Sequence, residues 1–350
     1  KREEKSFMNN LMKHLTLLSF IGLAWGQEQI ISDGPYIFIE KNNLVEKTII
    51  NNEVISKTLE ASSHDTIYYP EVSTFDKIRK IAAFSDIHGQ YDLLIRLLQN
   101  NKIIDKDLNW IFGKGHLVIV GDIFDRGDKV NEILWFIYKL EHQAEKSGGR
   151  VHYLLGNHEY MVLYNDLRYV HDKYITSSKL LDLEYDQLYG NNTIIGRWLR
   201  SKPTIVKIND IIFTHAGVSE DLLTYESFNI EKINNKMRES IPELKDIRKL
   251  RRTGKTNKFY DIYFGENSLI WYRGYFEEDF EESDILKVLK TVNANHMVVG
   301  HTSNEKIVQL YDKKVICVDS GLKRGEYGEL FFVKNDQFFR ATLNGRLIEL

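Results

Sequence analysis

Short apolar runs alternate with amphipathic stretches over residues 80–333. Residues 81–84, 117–120 and 151–155 are apolar runs of strand length, and residues 91–100 and 131–146 have the spacing of helices with one buried face. Strands that alternate with covering helices predict an α/β fold. Further strands are predicted at residues 204–208, 211–214, 297–299, 315–318 and 329–333.

A different pattern precedes this region. Between Gly34 and Leu59 short alternating runs are broken at paired asparagines, which favour the tight turns of a β-meander. We therefore predict an N-terminal β extension over residues 27–78 and a main domain over residues 79–345. Residues 219–270 are charged and helix-prone, and we predict that they form an insertion near the site.

The first 26 residues have the layout of a secretory signal preceded by seven upstream residues. Met8 starts a weakly basic stretch, an apolar run covers residues 15–24, and Ala24-Trp25-Gly26 offers small residues for cleavage. The run is too short for a hydrocarbon core of ~30 Å. We predict a signal peptide over residues 8–26, a periplasmic or secreted protein, and no membrane span in the mature chain. The alternative is an amphipathic N-terminal helix on a cytoplasmic protein.

Composition narrows the choice of partner. The 350 residues are 43% apolar and 28% charged, as in an ordinary folded protein. Lysine and arginine number 47 against 50 acidic residues, so no basic field predicts nucleic acid as a partner. The one cysteine, Cys317, excludes an intrachain disulfide and a multi-cysteine zinc module.

Candidate chemistry lies where apolar strands end. Five strands are each followed by a turn that contains aspartate, histidine or asparagine, and ligands of α/β sheets bind at the carboxyl ends of strands. Carboxylate, imidazole and amide oxygen together suit manganese, iron or zinc. One such turn would be explained by a structural role, but five in series predict a shared site. Its candidate members are Asp86, His88, Asp122, Asn157, His215 and His301.

These turns resemble a known family. Asp86-Ile87-His88-Gly89, Gly121-Asp122-Ile123-Phe124-Asp125-Arg126-Gly127, Gly156-Asn157-His158-Glu159, His215-Ala216-Gly217 and Gly300-His301-Thr302 resemble the calcineurin-like metallophosphoesterases. The second and third of these motifs, residues 121–127 and 156–159, are typical of the phosphoprotein phosphatase branch. Arg197-Trp198-Leu199-Arg200-Ser201-Lys202-Pro203 and Trp271-Tyr272-Arg273-Gly274-Tyr275 resemble the bacterial Shewanella-like protein phosphatases. The resemblance runs from about Lys80 to Phe332.

The resemblance implies a four-layer fold, with a β-sandwich core flanked by helices, and two divalent metal ions. It assigns Asp86, His88 and Asp122 to one ion. It assigns Asn157, His215 and His301 to the other, with Asp122 bridging the two, because one carboxylate can offer an oxygen to each ion.

The implied reaction is hydrolysis of phosphate monoesters by in-line attack of a metal-bridging hydroxide. His158, paired with Asp125, is the expected general acid for the leaving group. Arg126 and Arg273, together with Asn157, are expected to bind the phosphate, because guanidinium groups match its oxygens bidentately.

The expected substrate is a phosphoprotein carrying phosphotyrosine or phosphoserine/threonine. The alternative is diadenosine tetraphosphate or another small phosphoester. A nucleotidase-type Gly-His-x-His is absent, because Ser303 stands at its last position. An inactive binding module would have lost a ligand or the acid, yet all the expected residues are present.

Overall fold

The computed structural model describes residues 30–41, 43–242 and 247–350. The predicted signal peptide, residues 8–26, lies outside the described residues, so it stays a prediction. Over the described ranges, no helix combines the length and apolar character needed to cross a membrane.

The described strands form one three-stranded sheet, β1-β2-β3, and two six-stranded sheets, ordered β11-β12-β10-β9-β8-β4 and β15-β14-β13-β5-β6-β7. Most are short, and the strands of the two large sheets that lead to the site are buried apart from the first residues of β5, β7 and β10. The strands are β1 (Asp33–Glu40), β2 (Asn43–Ile50), β3 (Glu53–Leu59), β4 (Thr74–Phe75), β5 (Lys80–Phe84), β6 (His116–Ile119), β7 (Arg150–Tyr153), β8 (Ile205–Ile208), β9 (Ile211–Thr214), β10 (His296–Val299), β11 (Val308–Leu310), β12 (Val315–Cys317), β13 (Glu329–Lys334), β14 (Gln337–Thr342) and β15 (Leu347–Glu349).

Helices follow several of these strands. The first has leucines at 93, 94, 97 and 98, so its apolar side chains fall on one face, and all four are buried. The helices are α1 (Tyr91–Asn100), α2 (Val130–Lys146), α3 (Asn157–Leu163), α4 (Asp172–Leu180), α5 (Ile194–Ser201), α6 (Glu220–Tyr225), α7 (Ile230–Ser240), α8 (Ile247–Arg252), α9 (Lys258–Phe264) and α10 (Glu282–Val292). The segment predicted as a helical insertion contains α6 to α9.

The two large sheets pack face to face. One apolar cluster joins Ile81 of β5 and Val118 of β6 in the first sheet to Phe213 of β9 and Val298 of β10 in the second. The remaining core residues pack the helices against the outer faces of the sheets. This arrangement confirms the predicted β-sandwich flanked by helices.

Strand direction fixes where the site forms. In one sheet β5, β6 and β7 are parallel neighbours, and in the other β9, β10 and β12 are parallel neighbours. Parallel neighbours end at the same edge of a sheet, so the turns that follow them lie together.

The N-terminal segment is part of the packed structure. β1, β2 and β3 form the predicted meander, and Asn51 and Asn52 adopt the left-handed conformation of a tight hairpin turn. Ile37 and Phe38 are buried in the same core as the helices. β4 pairs in parallel with β8, so residues within the predicted extension supply an edge strand of the sandwich. The domain boundary at residue 78 stays a prediction.

Glu159 ties two of the site turns together. This fully buried carboxylate accepts hydrogen bonds from the backbone N–H groups of Asp122, Ile123 and Gly156, at 2.9, 2.8 and 2.6 Å. It also accepts one from the Tyr153 hydroxyl at 2.9 Å. The turn after β6 is thereby fixed to the turn after β7.

Replacing Glu159 with glutamine tests this role. The amide keeps the side-chain shape but sets a donor against backbone N–H groups, so we expect a loss of roughly 2–4 kcal/mol in the free energy of unfolding. Urea unfolding of Glu159→Gln and of the parent protein measures this loss in the free energy of unfolding. Glu145→Gln is the control, because the Glu145 side chain is 56% exposed, and it should stay within about 0.5 kcal/mol of the parent. Equal stability of both variants would contradict the role.

Candidate metal centre and active site

The predicted site residues converge at one edge of the sandwich. The turns after β5, β6 and β7 meet those after β9 and β10, and eight of the ten predicted residues are at most 6% exposed. The remaining two, Arg126 and Arg273, are exposed. The buried residues are Asp86, His88, Asp122, Asp125, Asn157, His158, His215 and His301.

The turns hold these residues in an uncommon backbone conformation. Six of the ten have a positive φ, which costs L-residues energy and persists only when the surrounding packing fixes it. The left-handed residues are Asp86 (54°), His88 (44°), Asp122 (60°), Asp125 (71°), Arg126 (67°) and His301 (63°).

The turns also approach each other more closely than side chains would allow. A Cβ atom at Gly121, where φ is 85°, would lie 2.7 Å from Nδ1 of His215. A Cβ atom at Gly156 would lie 2.3 Å from Oδ1 of Asp122. Glycine at these positions is therefore what lets the turns close around the site.

Four lone-pair atoms meet around His215. Its Nδ1 lies 2.7 Å from the carbonyl oxygen of Val120, so Nδ1 is a donor, and Nε2 carries the lone pair when the ring is neutral. That Nε2 lies 2.9 Å from Asn157 Oδ1, 3.2 Å from His301 Nδ1 and 3.3 Å from Asp122 Oδ2. One of these four atoms is a carboxylate oxygen, so with an unprotonated His215 the buried acceptors repel one another unless a cation lies among them. The residues therefore fit the second metal ion that the sequence implies.

A second group of donors shares Asp122. Nε2 of His88 lies 3.7 Å from Asp122 Oδ2 and 3.9 Å from Asp86 Oδ1, and His88 Nδ1 is fixed by the Phe124 carbonyl oxygen at 2.6 Å. Nε2 of His158 is also 3.9 Å from Asp122 Oδ2. Geometry thus brings His158 as near to this group as the predicted ligand Asp86.

Electrostatics of the site reflect charges that a cation would balance. Burial raises the pKa of Asp86 to about 8, with Asp319 adding to the effect. Burial alone would lower the pKa of His215, but Asp122 outweighs it and raises the value to about 10. Burial and then His215 lower the pKa of His301 to about 2. A proton on His215 stands in for the positive charge that a metal ion supplies.

His158 and Asp125 form the expected pair. Nδ1 of His158 lies 2.5 Å from Asp125 Oδ2, so Nε2 is the ring nitrogen left to act in the site. Burial alone would lower the pKa of His158, but Asp122 and Asp125 together raise it. The carboxylates therefore favour the imidazolium form.

Tyr169 is a site residue that the sequence did not indicate. Its ring, 41% exposed, packs against His158 with 5.2 Å between centroids. The guanidinium carbons of Arg126 and Arg168 lie 4.9 and 5.6 Å from the ring centroid. Arg168 is itself held by buried Asp166, and the Tyr169 carbonyl accepts from Arg126 N–H at 2.9 Å. This loop carries no periodic pattern, so only the fold reveals the contact.

Arg273 reaches the site from the other side. Its Nη1 donates to the carbonyl oxygen of His301 at 3.2 Å and to the Thr302 hydroxyl at 3.1 Å. Trp271, two residues earlier, packs edge-on against the His301 ring with 5.4 Å between centroids. The two predicted arginines therefore lie on opposite sides, with Arg126 beside His158 and Arg273 beside His301.

Comparisons with known proteins agree with this geometry. A family model described as calcineurin-like phosphoesterase matches residues 79–305. A crystal structure of the cold-active protein-tyrosine phosphatase of a psychrophilic Shewanella species is 40% identical, covers 91% of this chain and 99% of that chain, and has a TM-score of 0.85. Shewanella-like protein phosphatase 1 of Plasmodium berghei is 29% identical, covering 89% of this chain and 82% of its own length.

A more limited match bears on the alternative substrate. An asymmetrical bis(5'-nucleosyl)-tetraphosphatase of Bacillus velezensis is 32% identical over 165 residues, which is 45% of this chain and 61% of that protein. The family match extends over about two thirds of the chain, and the Shewanella match over nearly all of it. The chain therefore belongs to the calcineurin-like phosphoesterases, which use two divalent metal ions to hydrolyse phosphate esters, and within them to the Shewanella-like protein phosphatases.

Proposed function

We propose that this enzyme dephosphorylates proteins and prefers phosphotyrosine. The observation that carries the proposal is the exposed Tyr169 ring against His158, because His158, as the proposed general acid, would face the leaving group. An aromatic leaving group gains about 0.5–1.5 kcal/mol from packing on such a ring, and an aliphatic one gains less. The Shewanella relative, described as a protein-tyrosine phosphatase, supports the same preference.

Each residue has a proposed part in hydrolysis. Two divalent ions, when bound, would activate the attacking water and neutralise charge on the phosphoryl oxygens. The residues that would hold them are Asp86, His88, Asp122, Asn157, His215 and His301. Arg126 and Arg273, which lie on opposite sides of the metal centre, bind the phosphate oxygens and align the ester bond. His158, kept protonated by Asp125 at 2.5 Å, donates the Nε2 proton to the departing oxygen. Loss of that proton leaves a neutral imidazole hydrogen-bonded to Asp125.

His158→Asn tests the acid. We expect turnover of β-glycerophosphate, whose alkoxide needs a proton, to fall about 10²–10⁴-fold. The loss should be smaller for p-nitrophenyl phosphate, whose phenoxide leaves without one. Metal analysis of the same sample should still find two ions per chain. Equal losses on both substrates, together with a missing ion, would instead make His158 a metal ligand.

Asp122→Asn tests the shared carboxylate. Asp122 is the residue that both groups of donors approach, so we expect the variant, dialysed after loading with Mn²⁺, to retain fewer than two ions per chain. Asp125→Asn is the matched control, because Asp125 contacts His158 and is not a proposed ligand. It should keep both ions. Full retention by Asp122→Asn, measured by elemental analysis, would remove the bridging role.

Tyr169→Leu tests the substrate preference. The ratio of kcat/KM on a phosphotyrosine peptide to that on the matching phosphoserine peptide should fall roughly three- to tenfold. Tyr169→Phe keeps the ring and should keep the ratio. An equal loss on both peptides would show that Tyr169 acts only by positioning His158 and Arg126, and it would leave the preference for phosphotyrosine without support.

The same assays separate the alternative. Diadenosine tetraphosphate, run beside the phosphopeptides, should be the poorer substrate by kcat/KM. A preference for the dinucleotide would replace the proposed function with hydrolysis of small phosphoesters.

A further inference from the structure

One motif of the sequence has no part in the proposed chemistry. The stretch from Arg197 to Pro203 forms most of α5 and the turn that follows it. Two of its members have structural roles: Lys202 is buried and pairs with Glu71 and Glu141, and Trp198 donates to Glu141 at 2.7 Å. These contacts leave Arg197 and Arg200 unexplained.

The two arginines line a pocket together with a third. Arg238 of α7 joins them across a pocket of about 580 Å³, and none of the residues around it belongs to the metal centre. The pocket lies between α5, α7 and the irregular segment at residues 66–70. Its lining residues are Thr66, Ile67, Tyr68, Pro70, Asn191, Arg197, Arg200, Ser201, Asn235, Arg238 and Glu239.

The hydrogen bonds described for these three side chains go to neutral oxygens. Arg197 donates to the carbonyl oxygens of Asn191 and Thr66, at 2.6 and 2.8 Å. Arg200 donates to the carbonyl oxygens of Tyr189 and Gly196, also at 2.6 and 2.8 Å. These bonds hold both guanidinium groups in place without neutralising their charge.

Arg238 follows the same pattern. Its Nη2 donates to the amide oxygen of Asn235 at 2.6 Å, and its Nη1 lies 3.5 Å from the carbonyl oxygen of Lys202. Neighbouring Lys202, by contrast, contacts two carboxylates. The fold thus pairs buried Lys202 with acids and leaves three adjacent guanidinium groups in contact with neutral oxygens.

Nearby acids offset this charge only in part. Burial lowers the pKa of Arg200 to about 10 although Asp186 favours its charged form. Burial also lowers the pKa of Arg238, against the opposing effects of Tyr160 and of the acids Glu231, Glu71 and Glu239. Glu239 is the one acid among the lining residues. An anionic ligand would offset the cost of burying these cations.

The rim of the pocket is apolar on one side. Ile67, which lines it, is 66% exposed, and Tyr69 of the same segment is 77% exposed. Val72, just beyond the segment, is 62% exposed. Large apolar side chains that lie exposed beside fixed arginines are typical of surfaces that bind other proteins. A small inorganic anion would leave them uncovered, whereas a peptide would cover them.

We propose that this arginine pocket docks an acidic segment of the protein substrate, outside the metal centre. Arg197, Arg200 and Arg238 bind its carboxylates, and Ile67 and Tyr69 pack against its apolar side chains. The inference rests on the proposed function, because it presumes a protein substrate. Docking of this kind lowers KM for substrates with an acidic segment and leaves turnover at the metal centre unchanged.

The test compares two phosphotyrosine peptides that differ only in a flanking run of glutamates or glutamines. The double variant Arg197→Gln/Arg238→Gln should raise KM for the glutamate peptide about tenfold, the effect of removing two half-buried charge-assisted contacts. Its kcat, its KM for the glutamine peptide and its turnover of p-nitrophenyl phosphate should stay unchanged. The control Arg79→Gln/Arg346→Gln makes the same charge change at exposed positions outside the pocket and should match the parent.

Binding of a fluorescein-labelled, unphosphorylated glutamate peptide, followed by anisotropy, gives an independent reading. Glu239→Gln should tighten it, because Glu239 is exposed and repels the ligand, and the double variant should weaken it. Tighter binding by Glu239→Gln cannot result from poor folding, so the test remains valid even if the double variant folds poorly. Two outcomes would overturn the docking proposal. One is an equal KM of the unmutated protein for the glutamate and glutamine peptides, and the other is peptide binding that neither variant changes. Intact peptide binding without any peptide hydrolysis would instead overturn the proposed function.

Discussion

The structure depends on the burial of electron-pair donors that face one another. Carboxylate, imidazole and amide atoms of five turns lie within 2.9–3.9 Å of a neighbour at one dry edge of the sandwich. Such a cluster is costly in the absence of cations, and the surrounding fold holds it by left-handed turns, close glycine contacts and the Glu159 carboxylate. Metal binding releases the repulsion that the rest of the fold is built to resist.

The buried and exposed residues of the site lie on different parts of the fold. The proposed metal ligands follow buried strands and are almost inaccessible, so their geometry is set by the core. Arg126, Tyr169 and Arg273, which are proposed to meet the substrate, are exposed. The proposed metal centre thus lies in turns fixed by buried strands, and the residues proposed to meet the substrate lie on exposed loops.

The sequence was informative where structure is local and periodic. The bounds of α1 and β9 match the predicted ranges 91–100 and 211–214, and other strands shift by one or two residues. The turns were predictable because each follows an apolar strand. Tyr169 was not, because an irregular loop brings it to His158. β4 was missed for a related reason: two residues carry no pattern, and their pairing partner is over a hundred positions away.

Strand β4 bears on how far the chain can be shortened from its N-terminal side. The family match begins at residue 79, yet Thr74 and Phe75 close the open side of β8, and Ile37 and Phe38 fill the outer core. Removing the residues before the matched region would leave the backbone N–H and C=O groups on the free edge of β8 without hydrogen-bond partners. It would also expose to water the apolar helix surfaces that Ile37 and Phe38 cover. The folded unit of this protein therefore extends beyond the segment that the family model matches.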